Sequence, residues 1–453
     1  MDKLSIAELK ERFSELKPPM SKREAIVEAQ RCLYCYDAPC ITACPTSIDV
    51  PTFIRKISTD NVYGSAKTIL EANLMGASCA RVCPVEELCE GACVLNKESK
   101  KPIEIGRLQR YATDYLYGKD LMPFTPSEAN GKTVAVVGSG PAGLSCAGEL
   151  AKLGYEVTVF EKQSLPGGLS TYGIVVMREP ISVSLAEVGF IEKLGVKIQT
   201  DTEVTKDIST EQILEDFDAV FLSVGMGSVP ALGIAGENLA GVFDALDFIA
   251  ETKLAEKEGL EQLNYLFVGN SVTVIGAGNT AIDAATVAKR LGAERVTIVY
   301  RRTDKEMPAY EFEYDFIKKE GVEFRFLSQP IEIIGSNDKI TGLKCLKMQL
   351  GAADADGRKK VEAIPNSEFI IETDQVIMAI GQEKLQNISD AFGLEQTQGY
   401  IKVNNSLQTS APQIFAGGDC IRAVGEANTV RATQDGKIAA QGIHNWLGGK
   451  TNG

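Results

Sequence analysis

The chain has 453 residues, of which 44% are hydrophobic and 24% are charged, and its formal net charge is -14. This length is sufficient for two or three domains with separate cores, and the negative charge argues against a nucleic acid or an anionic membrane as the partner. The single histidine nearly excludes a histidine-based acid–base or triad mechanism. No run approaches the roughly eighteen apolar residues of a membrane span, and no apolar signal region opens the chain, so we expect a reducing, cytoplasmic location.

The first part of the chain shows helical patterns. Ser21 and Glu24 have the spacing of a capping box at a helix start. Apolar residues at helical spacing recur in three later segments, namely 50–58, 63–76 and 102–116. The stretch that follows is rich in proline, glycine and polar residues. We therefore predict a helical domain over residues 1–117 and a linker over residues 118–132.

This helical part contains eight of the eleven cysteines, in the segments RCLYCYDAPCITACP and SCARVCPVEELCEGAC. The first segment has the spacing C-x2-C-x4-C-x3-C-P. Disulfides are disfavoured because no secretory signal is present, and structural zinc usually uses repeated tight cysteine pairs. Many soft thiolates, with Cys-Pro elements at Cys44 and Cys83 like those that ligate a second cluster, favour iron–sulfur clusters. The spacing by itself would make Cys79 the eighth ligand.

Residues 133–162 have the pattern of a strand, a glycine turn, a helix and a second strand. The motif G-x-G-x-x-G, at Gly138, Gly140 and Gly143, lies where the first strand meets the helix. Its glycines allow a pyrophosphate to approach the backbone at the helix N-terminus. Glu161 ends the second strand, where a carboxylate can hold a ribose diol. The segment therefore predicts a dinucleotide-binding fold.

A second unit repeats the pattern at residues 271–302, with Gly276, Gly278 and Ala281 in the glycine turn. Alignment of the two strands puts Tyr300 at the position of Glu161, so the acid is missing. Arg301 and Arg302 follow, and two guanidinium groups at this place favour a ribose 2′-phosphate, hence NADP(H) over NAD(H). The alternative is a solvated basic pair.

Apolar strands that end in glycine, at 219–227 and 375–382, follow the two nucleotide units. A third strand leads to Gly418 and Asp419, which we expect at the start of the last helix, near a flavin. The first dinucleotide domain is then split by the second. The predicted fold is α/β, with an N-terminal all-helical domain and two Rossmann-like domains, the second inserted in the first. The predicted ranges are 133–245 and 376–453 for the FAD-binding domain and 246–375 for the NADP(H)-binding domain.

The segments GRLQRYATDY, DAPC-x3-CP and GGLSTYG resemble the glutamate synthase small-subunit superfamily. The chain looks most similar to the flavin and iron–sulfur subunit, or N-terminal half, of NAD(P)-dependent dihydropyrimidine dehydrogenase. The resemblance implies two [4Fe–4S] clusters, one held by Cys32, Cys35, Cys40 and Cys93 and the other by Cys44, Cys83, Cys89 and Gln109. Cys79 is then a spare thiol. Glutamate synthase small subunits tend to carry glutamate in place of Gln109.

The resemblance also implies contacts to both dinucleotides. The FAD set, together with the glycine motif, is Gly138, Ser139, Gly140, Pro141, Ala142, Gly143, Glu161, Lys162, Gly168, Leu169, Arg178, Gly418, Asp419, Asn428, Thr429 and Gly436. Lys162 is equally compatible with a solvated side chain. The NADP(H) set is Gly276, Ala277, Gly278, Asn279, Thr280, Arg301, Arg302, Ala379 and Gly381. The family usually has I-P-x-F-R-L-P after GGLST, whereas this chain has GIVVMREP, so contacts around Arg178 stay open.

The resemblance implies an oxidoreductase of pyrimidine catabolism. The chain would pass a hydride from NADPH to FAD and single electrons through two clusters to a partner subunit with FMN and iron–sulfur centres that reduces uracil or thymine. No residue is assigned as a catalytic acid or base. Cys146, Cys345 and Cys420 are isolated, so a disulfide-reductase pair is not expected. The alternatives are a glutamate synthase-like small subunit, an NADPH:ferredoxin oxidoreductase with ferredoxin as partner, and a zinc scaffold with vestigial nucleotide folds.

Overall fold

The computed structural model of the protein describes residues 3–97, 100–336, 339–353, 359–422 and 427–448. The chain divides into two compact units. The larger unit contains Glu15–Thr171, Arg178–Met226 and Lys384–Gly453, and the smaller unit contains Met1–Ser14, Tyr172–Met177 and Gly227–Glu383. Within the described ranges, the helices are too short or too polar to cross a membrane.

Helices dominate the chain before residue 119. Their bounds are α1 (Ile6–Arg12), α2 (Lys22–Gln30), α3 (Pro39–Thr42), α4 (Val50–Ser58), α5 (Val62–Ala72), α6 (Gly76–Val82), α7 (Val94–Lys97) and α8 (Ile105–Gly118). The predicted capping box starts α2, because Ser21 Oγ accepts the Glu24 N–H at 3.3 Å and Glu24 Oε2 accepts the Ser21 N–H at 2.7 Å. Phe53 and Leu108 are fully buried in the core that these helices form in the larger unit. The predicted all-helical N-terminal region is confirmed.

The first helix, α1, belongs to the smaller unit. Leu4 and Asn264 exchange two hydrogen bonds of 2.9 Å, and the Arg290 guanidinium donates to the Arg12 carbonyl at 2.5 Å. The sequence pattern did not separate α1 from the helices after it. An amphipathic helix has the same apolar periodicity whichever core it covers.

A parallel sheet in the larger unit follows the pattern of the first predicted dinucleotide fold. Its strands are β1 (Thr133–Val137), β2 (Glu156–Phe160), β3 (Lys197–Gln199), β4 (Ala219–Leu222) and β15 (Ile414–Ala416), in the order β15-β4-β1-β2-β3. The helices that accompany it are α9 (Pro141–Lys152), α10 (Leu169–Tyr172), α11 (Ile181–Lys193), α12 (Thr210–Asp216) and α17 (Thr429–Trp446). β1 and β4 are continuous apolar runs, as expected for strands covered on both faces. β15 returns to this sheet after the smaller unit, so the first fold is split as predicted.

The smaller unit contains a second parallel sheet. Its strands are β5 (Val242–Asp244), β6 (Ser271–Ile275), β7 (Arg295–Val299), β8 (Glu323–Arg325) and β12 (Gln375–Met378), in the order β5-β12-β6-β7-β8. Its helices are α13 (Ala245–Glu258), α14 (Asn279–Leu291) and α15 (Glu311–Lys319). β5 and β12 pair with each other close to residues 246 and 375, where we predicted the inserted domain to begin and end. The domain ranges themselves stay predictions.

The smaller unit also has an antiparallel sheet that the sequence did not lead us to predict. It consists of β9 (Ser328–Ser336), β10 (Lys339–Ala353) and β11 (Lys359–Glu372), in the order β11-β10-β9. One face packs on a core that includes Ile333, Leu343 and Cys345. β11 is at the edge of the sheet and is largely exposed, so it lacks the apolar run that marks the parallel strands. The remaining elements are α16 (Gln386–Ala391), β13 (Gln396–Thr397), β14 (Tyr400–Ile401) and 3-10 turns at Leu260–Tyr265, Asp304–Glu306 and Asp419–Ile421.

Candidate iron–sulfur and dinucleotide sites

Four of the predicted cluster ligands line one cavity in the larger unit. Cys32, Cys35, Cys40 and Cys93 line it together with apolar side chains such as Val50. Cys32 follows the C-cap of α2, Cys40 lies in α3, and Cys93 directly precedes α7. Short helices therefore bring cysteines that are distant in the sequence to the lining of the same cavity. Four converging thiols in an apolar pocket are a donor set that fits an iron–sulfur cluster.

Two of the thiols at this cavity, those of Cys32 and Cys40, have raised pKa values. Burial raises the pKa of Cys32, and burial followed by the nearby Cys32 thiol raises the pKa of Cys40 to about 12. Thiols of this kind are protonated in the metal-free protein. Because a metal ligand must be a thiolate, cluster binding at this cavity displaces protons.

The second predicted group gathers around the end of α6. A hydrogen bond to Cys79, then burial, and then the charges of Cys79, Cys89 and Cys44 raise the pKa of Cys83 well above its ordinary value. These four sulfurs therefore lie within electrostatic range of one another. Cys79 is itself buried and touches Cys83, so the predicted spare thiol is part of this group.

Gln109 lies on α8, which packs against α6, and is 7% exposed. Its Nε2 donates a hydrogen bond of 2.7 Å to the carbonyl oxygen of Gly76, the first residue of α6. This contact holds the amide nitrogen on the backbone and leaves the amide oxygen as the atom that can act as a ligand. This contact lies at the start of α6, whereas Cys83 follows its end, so the role of Gln109 as the fourth ligand stays a prediction.

The glycine turn of the larger unit shows three different roles. Gly138 has a φ of +95°, which favours glycine. A Cβ on Gly143 would lie 2.0 Å from the Gly138 carbonyl oxygen, so this glycine lets α9 pack on the strand. A Cβ on Gly140 would meet nothing within 4 Å. The open space at the second glycine is where a dinucleotide pyrophosphate approaches in folds of this type, so the residues fit an FAD.

Glu161 follows β2 and is held rigidly beside this turn. Its Oε2 accepts hydrogen bonds from the Ser139 N–H at 3.0 Å and hydroxyl at 2.5 Å, and its Oε1 accepts from the Gln163 N–H at 2.8 Å. A carboxylate has further lone pairs, so it can still accept from a ribose hydroxyl. Lys162 is exposed.

The GGLST segment lies directly on the glycine turn. A Cβ on Gly168, whose φ is +57°, would lie 2.7 Å from the Gly140 Cα. The Gly167 N–H donates to Ser139 Oγ at 2.9 Å. Leu169 is 40% exposed and Arg178 is half-buried. Gly168 is therefore brought to the predicted flavin site.

The C-terminal segment returns to the same turn. A Cβ on Gly436 of α17 would lie 2.2 Å from the Ala142 carbonyl oxygen, and one on Gly418 would lie 3.2 Å from the Ala142 Cβ. The Gly418 N–H donates to Asp435 Oδ2 at 3.0 Å, and Asp435 also forms an ion pair with Arg422. The resemblance had implied the segment that contains Asp435 at the flavin, but the sequence analysis missed Arg422 and its pairing with Asp435, which no motif spacing marks.

The structure corrects one local prediction. Asp419 begins a short 3-10 turn, whereas the last helix, α17, begins only at Thr429. The reason is the cap, because Asn428 Oδ1 accepts the Arg431 N–H at 3.0 Å and so starts the helix there.

The smaller unit repeats the turn. Gly276 has a φ of +129°, and a Cβ there would lie 2.1 Å from the carbonyl oxygen of Ala379, which follows β12. A Cβ on Gly278 would meet only the Pro308 Cγ, at 3.7 Å. Asn279 begins α14, followed by Thr280, while Ala277 is buried before it and Gly381 lies near Ala379 in the chain. The second glycine again leaves room for a pyrophosphate.

Backbone hydrogen bonds put Tyr300 at the position that Glu161 has in the other sheet. The Glu161 N–H donates to the Gln199 carbonyl at 2.8 Å, and the Tyr300 N–H donates to the Arg325 carbonyl at 3.0 Å. Arg301 is exposed. Arg302 has a buried Nε without a hydrogen-bond partner among the described residues. A buried guanidinium donor beside the ribose position fits a 2′-phosphate.

Two family profiles match this chain. The profile described as dihydropyrimidine dehydrogenase domain II, 4Fe-4S cluster, covers residues 9–121, and that described as pyridine nucleotide-disulphide oxidoreductase covers residues 132–436. The chain is 36% identical to the glutamate synthase (NADPH) small chain of Escherichia coli K12, over 96% of this chain and 94% of that one. It is also 36% identical to the NAD-dependent dihydropyrimidine dehydrogenase subunit PreT of Escherichia coli O157:H7, over 96% and 98%. The chain belongs to the family of the glutamate synthase small chain and the PreT subunit.

The two profiles and the two relatives together show that this chain is an NAD(P)H- and FAD-dependent oxidoreductase with a 4Fe–4S domain. Among solved structures, Mycobacterium tuberculosis FprA in complex with NADPH is 20% identical, with a TM-score of 0.56 over 72% of this chain and 85% of that one. Thioredoxin reductase of T. acidophilum is 23% identical, with a TM-score of 0.53 over 69% and 97%. These likenesses show the fold of the two nested dinucleotide domains.

Proposed function

We propose that this chain is the NADPH-oxidising electron-input subunit of a dihydropyrimidine dehydrogenase-like enzyme. A partner subunit with FMN and iron–sulfur clusters would reduce uracil or thymine. The observation that carries the proposal is the buried carboxamide of Gln109, which is hydrogen-bonded to the first residue of α6, the helix that directly precedes Cys83. Glutamate synthase small subunits tend to have glutamate there, so the amide favours the pyrimidine branch of the family.

The proposed clusters are two [4Fe–4S] centres. Cys32, Cys35, Cys40 and Cys93 would hold the first, which their shared cavity supports. Cys44, Cys83, Cys89 and Gln109 would hold the second. The proximity of its three thiols is supported by the effect of Cys44 on the pKa values of Cys83 and Cys89. Residues 1–117 would form the domain that contains both.

The proposed dinucleotide sites follow from the two glycine turns. FAD would bind the split domain of residues 133–245 and 376–453, and NADP(H) the inserted domain of residues 246–375. FAD supplies the chemistry of accepting two electrons together and releasing them singly. The chain's own residues would bind the two dinucleotides and orient them. The first-turn amides of α9 and α14 receive the pyrophosphates, Glu161 accepts from a ribose hydroxyl, and Arg302 donates to the 2′-phosphate. We assign no catalytic acid or base.

The cysteines outside the cluster groups support an exit of electrons through clusters rather than through a disulfide. Cys146 and Cys420 are buried, and burial raises the pKa of Cys420 to about 12 and that of Cys146 well above its ordinary value. Burial likewise raises the pKa of Cys345 to about 12. Neutral thiols of this kind are poor nucleophiles, and none of the three has a second cysteine at C-x-x-C spacing.

The proposal is tested by anaerobic oxidation of NADPH by the purified chain, with and without a candidate FMN-containing partner, and with uracil or thymine as the final acceptor. We expect dye reduction by the chain alone and pyrimidine turnover only with the partner. Dye reduction without pyrimidine turnover would contradict the pyrimidine assignment. A colourless, iron-free protein would contradict the cluster assignment and would return the zinc scaffold as the explanation.

A second candidate function is that of a glutamate synthase-like small subunit. The equal identity of 36% to the glutamate synthase small chain of Escherichia coli K12 favours it. In that case, a large amidotransferase-type partner would support NADPH-dependent glutamate formation, and the FMN-containing partner would not accept electrons. A free-standing NADPH:ferredoxin oxidoreductase would instead reduce ferredoxin without either partner.

A further inference from the structure

Two carboxyl groups and one hydroxyl are buried together where α11 packs on α6. Glu179, Glu187 and Ser78 are each no more than 2% exposed. Glu187 Oε1 accepts the N–H groups of Ala77 and Ser78, at 2.7 and 3.1 Å. Ser78 Oγ makes hydrogen bonds to Glu179 Oε1 and to Glu187 Oε2. The three side chains form what we name the carboxyl pair, Glu179 and Glu187, bridged by Ser78.

This arrangement contains a proton beyond that of the serine. A hydroxyl has one hydrogen and can donate it to one carboxylate only. The other contact then needs a hydrogen on the carboxyl group, with the serine oxygen as the acceptor. Burial agrees with this, since it raises the pKa of Glu187 to about 8, and the charge of Glu179 adds to the rise despite the opposing hydrogen bonds from Ser78. The pair therefore holds one proton up to about the pKa of Glu187.

The carboxyl pair lies between two segments that the proposed function uses. On one side, α6 ends at Cys83, and its Gly76 carbonyl holds the amide of Gln109. On the other side, Ser184 lies one turn before Glu187 on α11, and its hydroxyl is 3.0 Å from that of Thr171 in the GGLST segment. The pair is thus hydrogen-bonded directly to the helix of the second cluster group and lies one helical turn from a contact to the flavin segment.

One member of the pair is a departure from the family pattern. The family usually has I-P-x-F-R-L-P after GGLST, and Glu179 takes the place of the leucine in that pattern. A leucine cannot share a proton with Glu187 or raise its pKa by charge. The buried acid at this place therefore adds a titratable function that the family pattern does not contain.

The other titratable groups near the pair come from the helices packed on α11. The Tyr117 hydroxyl on α8 is buried without a hydrogen-bond partner among the described residues, and burial and then the charge of Glu187 raise its pKa. Arg81 on α6 is engaged by Glu15 and Asp114. Further titratable groups on these helices are Cys79 on α6 and Cys146, Glu149 and Lys152 on α9, where Lys152 pairs with Glu149. Helix α8 also contains Arg107, Arg110, Tyr111, Asp114 and Tyr115. Glu187 hydrogen-bonds to α6 and lies one helical turn from Ser184, which contacts the GGLST segment at Thr171.

We propose that Glu179, Ser78 and Glu187 form a redox-linked proton site. Above the pKa of Glu187, where the pair has lost its proton, gain of one electron by the centre beside α6 would draw one proton from solvent, so a single carboxylate charge would be neutralised for each electron added. No bond to carbon forms or breaks, and the proton returns to solvent when the electron leaves. This inference rests on the proposed function, because it needs the second cluster beside α6.

The test is a redox titration of the holoenzyme, followed by electron paramagnetic resonance, at several pH values. We expect the midpoint potential of the second cluster to fall with rising pH around the pKa of Glu187, by up to about 59 mV per pH unit for one proton per electron. Glu187→Gln should make the potential independent of pH there. Glu179→Leu should move the dependence to lower pH, because it removes the charge that raises the pKa. The control is Glu192→Gln, an exposed site on α11, which should behave as the wild type.

A pH-independent potential in the wild type, or an unchanged dependence in Glu187→Gln, would overturn the proposal. A second measurement covers a variant that does not fold. The infrared spectrum of the wild-type protein should contain the stretching band of a protonated buried carboxyl, and its absence at neutral pH would also overturn the proposal. Iron analysis and NADPH-dependent dye reduction, measured on the same samples, report separately on the proposed function. Protein without iron would contradict the proposed function, whereas the infrared band would still show whether the buried carboxyl pair holds a proton.

Discussion

Glu187→Gln offers a direct measure of the cost of burying this acid. The amide keeps an oxygen that can accept the N–H groups of Ala77 and Ser78, and it cannot ionise. The pKa of Glu187 is raised from 4.5 to about 8 by burial. At about 1.4 kcal/mol per pKa unit, this shift corresponds to roughly 5 kcal/mol of proton-linked stability. The proton shared with Glu179 makes that value an upper limit.

The direction of the pH effect on folding stability depends on whether the folded or the unfolded chain holds the proton. Below about pH 4.5 the carboxyl is protonated in both the folded and the unfolded chain, so its contribution to stability is fully present. As the pH rises towards about 8, the unfolded chain ionises while the folded chain keeps its proton, and the contribution is lost. The variant has no such loss. We therefore expect Glu187→Gln to become progressively more stable than the wild type over this pH range.

The assay is thermal unfolding of both proteins between about pH 5 and pH 9, followed by circular dichroism and by the fluorescence of Trp446, the single tryptophan. At on the order of 2 °C per kcal/mol, the difference in Tm between variant and wild type should grow by several degrees and then level off. Glu192→Gln serves as the control and should show no such trend. A Tm difference that is constant across the pH range would refute the buried-proton reasoning.

Three further predictions concern the proposed sites. Gly140→Ala should keep the thermal stability but lose FAD, because its Cβ would enter the open space where the pyrophosphate is expected. Gly143→Ala should lower the Tm, because its Cβ would lie 2.0 Å from a backbone oxygen. Equal flavin absorbance and equal Tm in the two variants would contradict these roles. Cys40→Ser should lose about half of the iron, while Cys345→Ser, buried in the core beside the antiparallel sheet, should keep all of it; equal iron contents would exclude the first ligand set. Arg302→Glu should raise KM for NADPH about tenfold or more with little effect on NADH, and equal changes for both would point to a structural role.

The sequence alone was sufficient for the chemistry that depends on short-range order. A glycine turn between an apolar strand and a helix can be read from about ten residues, because the backbone geometry that receives a pyrophosphate requires glycine at fixed offsets. The absence of an acid at Tyr300 could be recognised in the same way, by counting along two parallel strands. The capping box at Ser21 is equally local. For these features the structure confirmed the placement of the elements.

Features that depend on long-range contacts could not be read in advance. The antiparallel sheet was missed because β11 is an edge strand with few buried residues, so its pattern resembles a polar loop. The pairing of Arg422 with Asp435 was missed because it depends on where α17 packs. The amphipathic pattern of α1 predicted a helix but not the core that it covers, since periodicity identifies an apolar face and not its partner.

The cysteines illustrate both what the sequence could predict and what it could not. Their spacing predicted clusters, because thiolates are the soft ligands that iron–sulfur centres need, but spacing alone could not say which cysteines converge. Only the packed helices bring Cys93 to the same cavity as Cys32, Cys35 and Cys40. Likewise, Glu187 on α11 and Glu179 just before that helix became a proton-holding pair only when α11 packed on α6 and excluded water from both. Local sequence determined the elements and their turns, and tertiary packing decided which side chains meet and which of them carry a proton, because burial and proximity exist only in the folded chain.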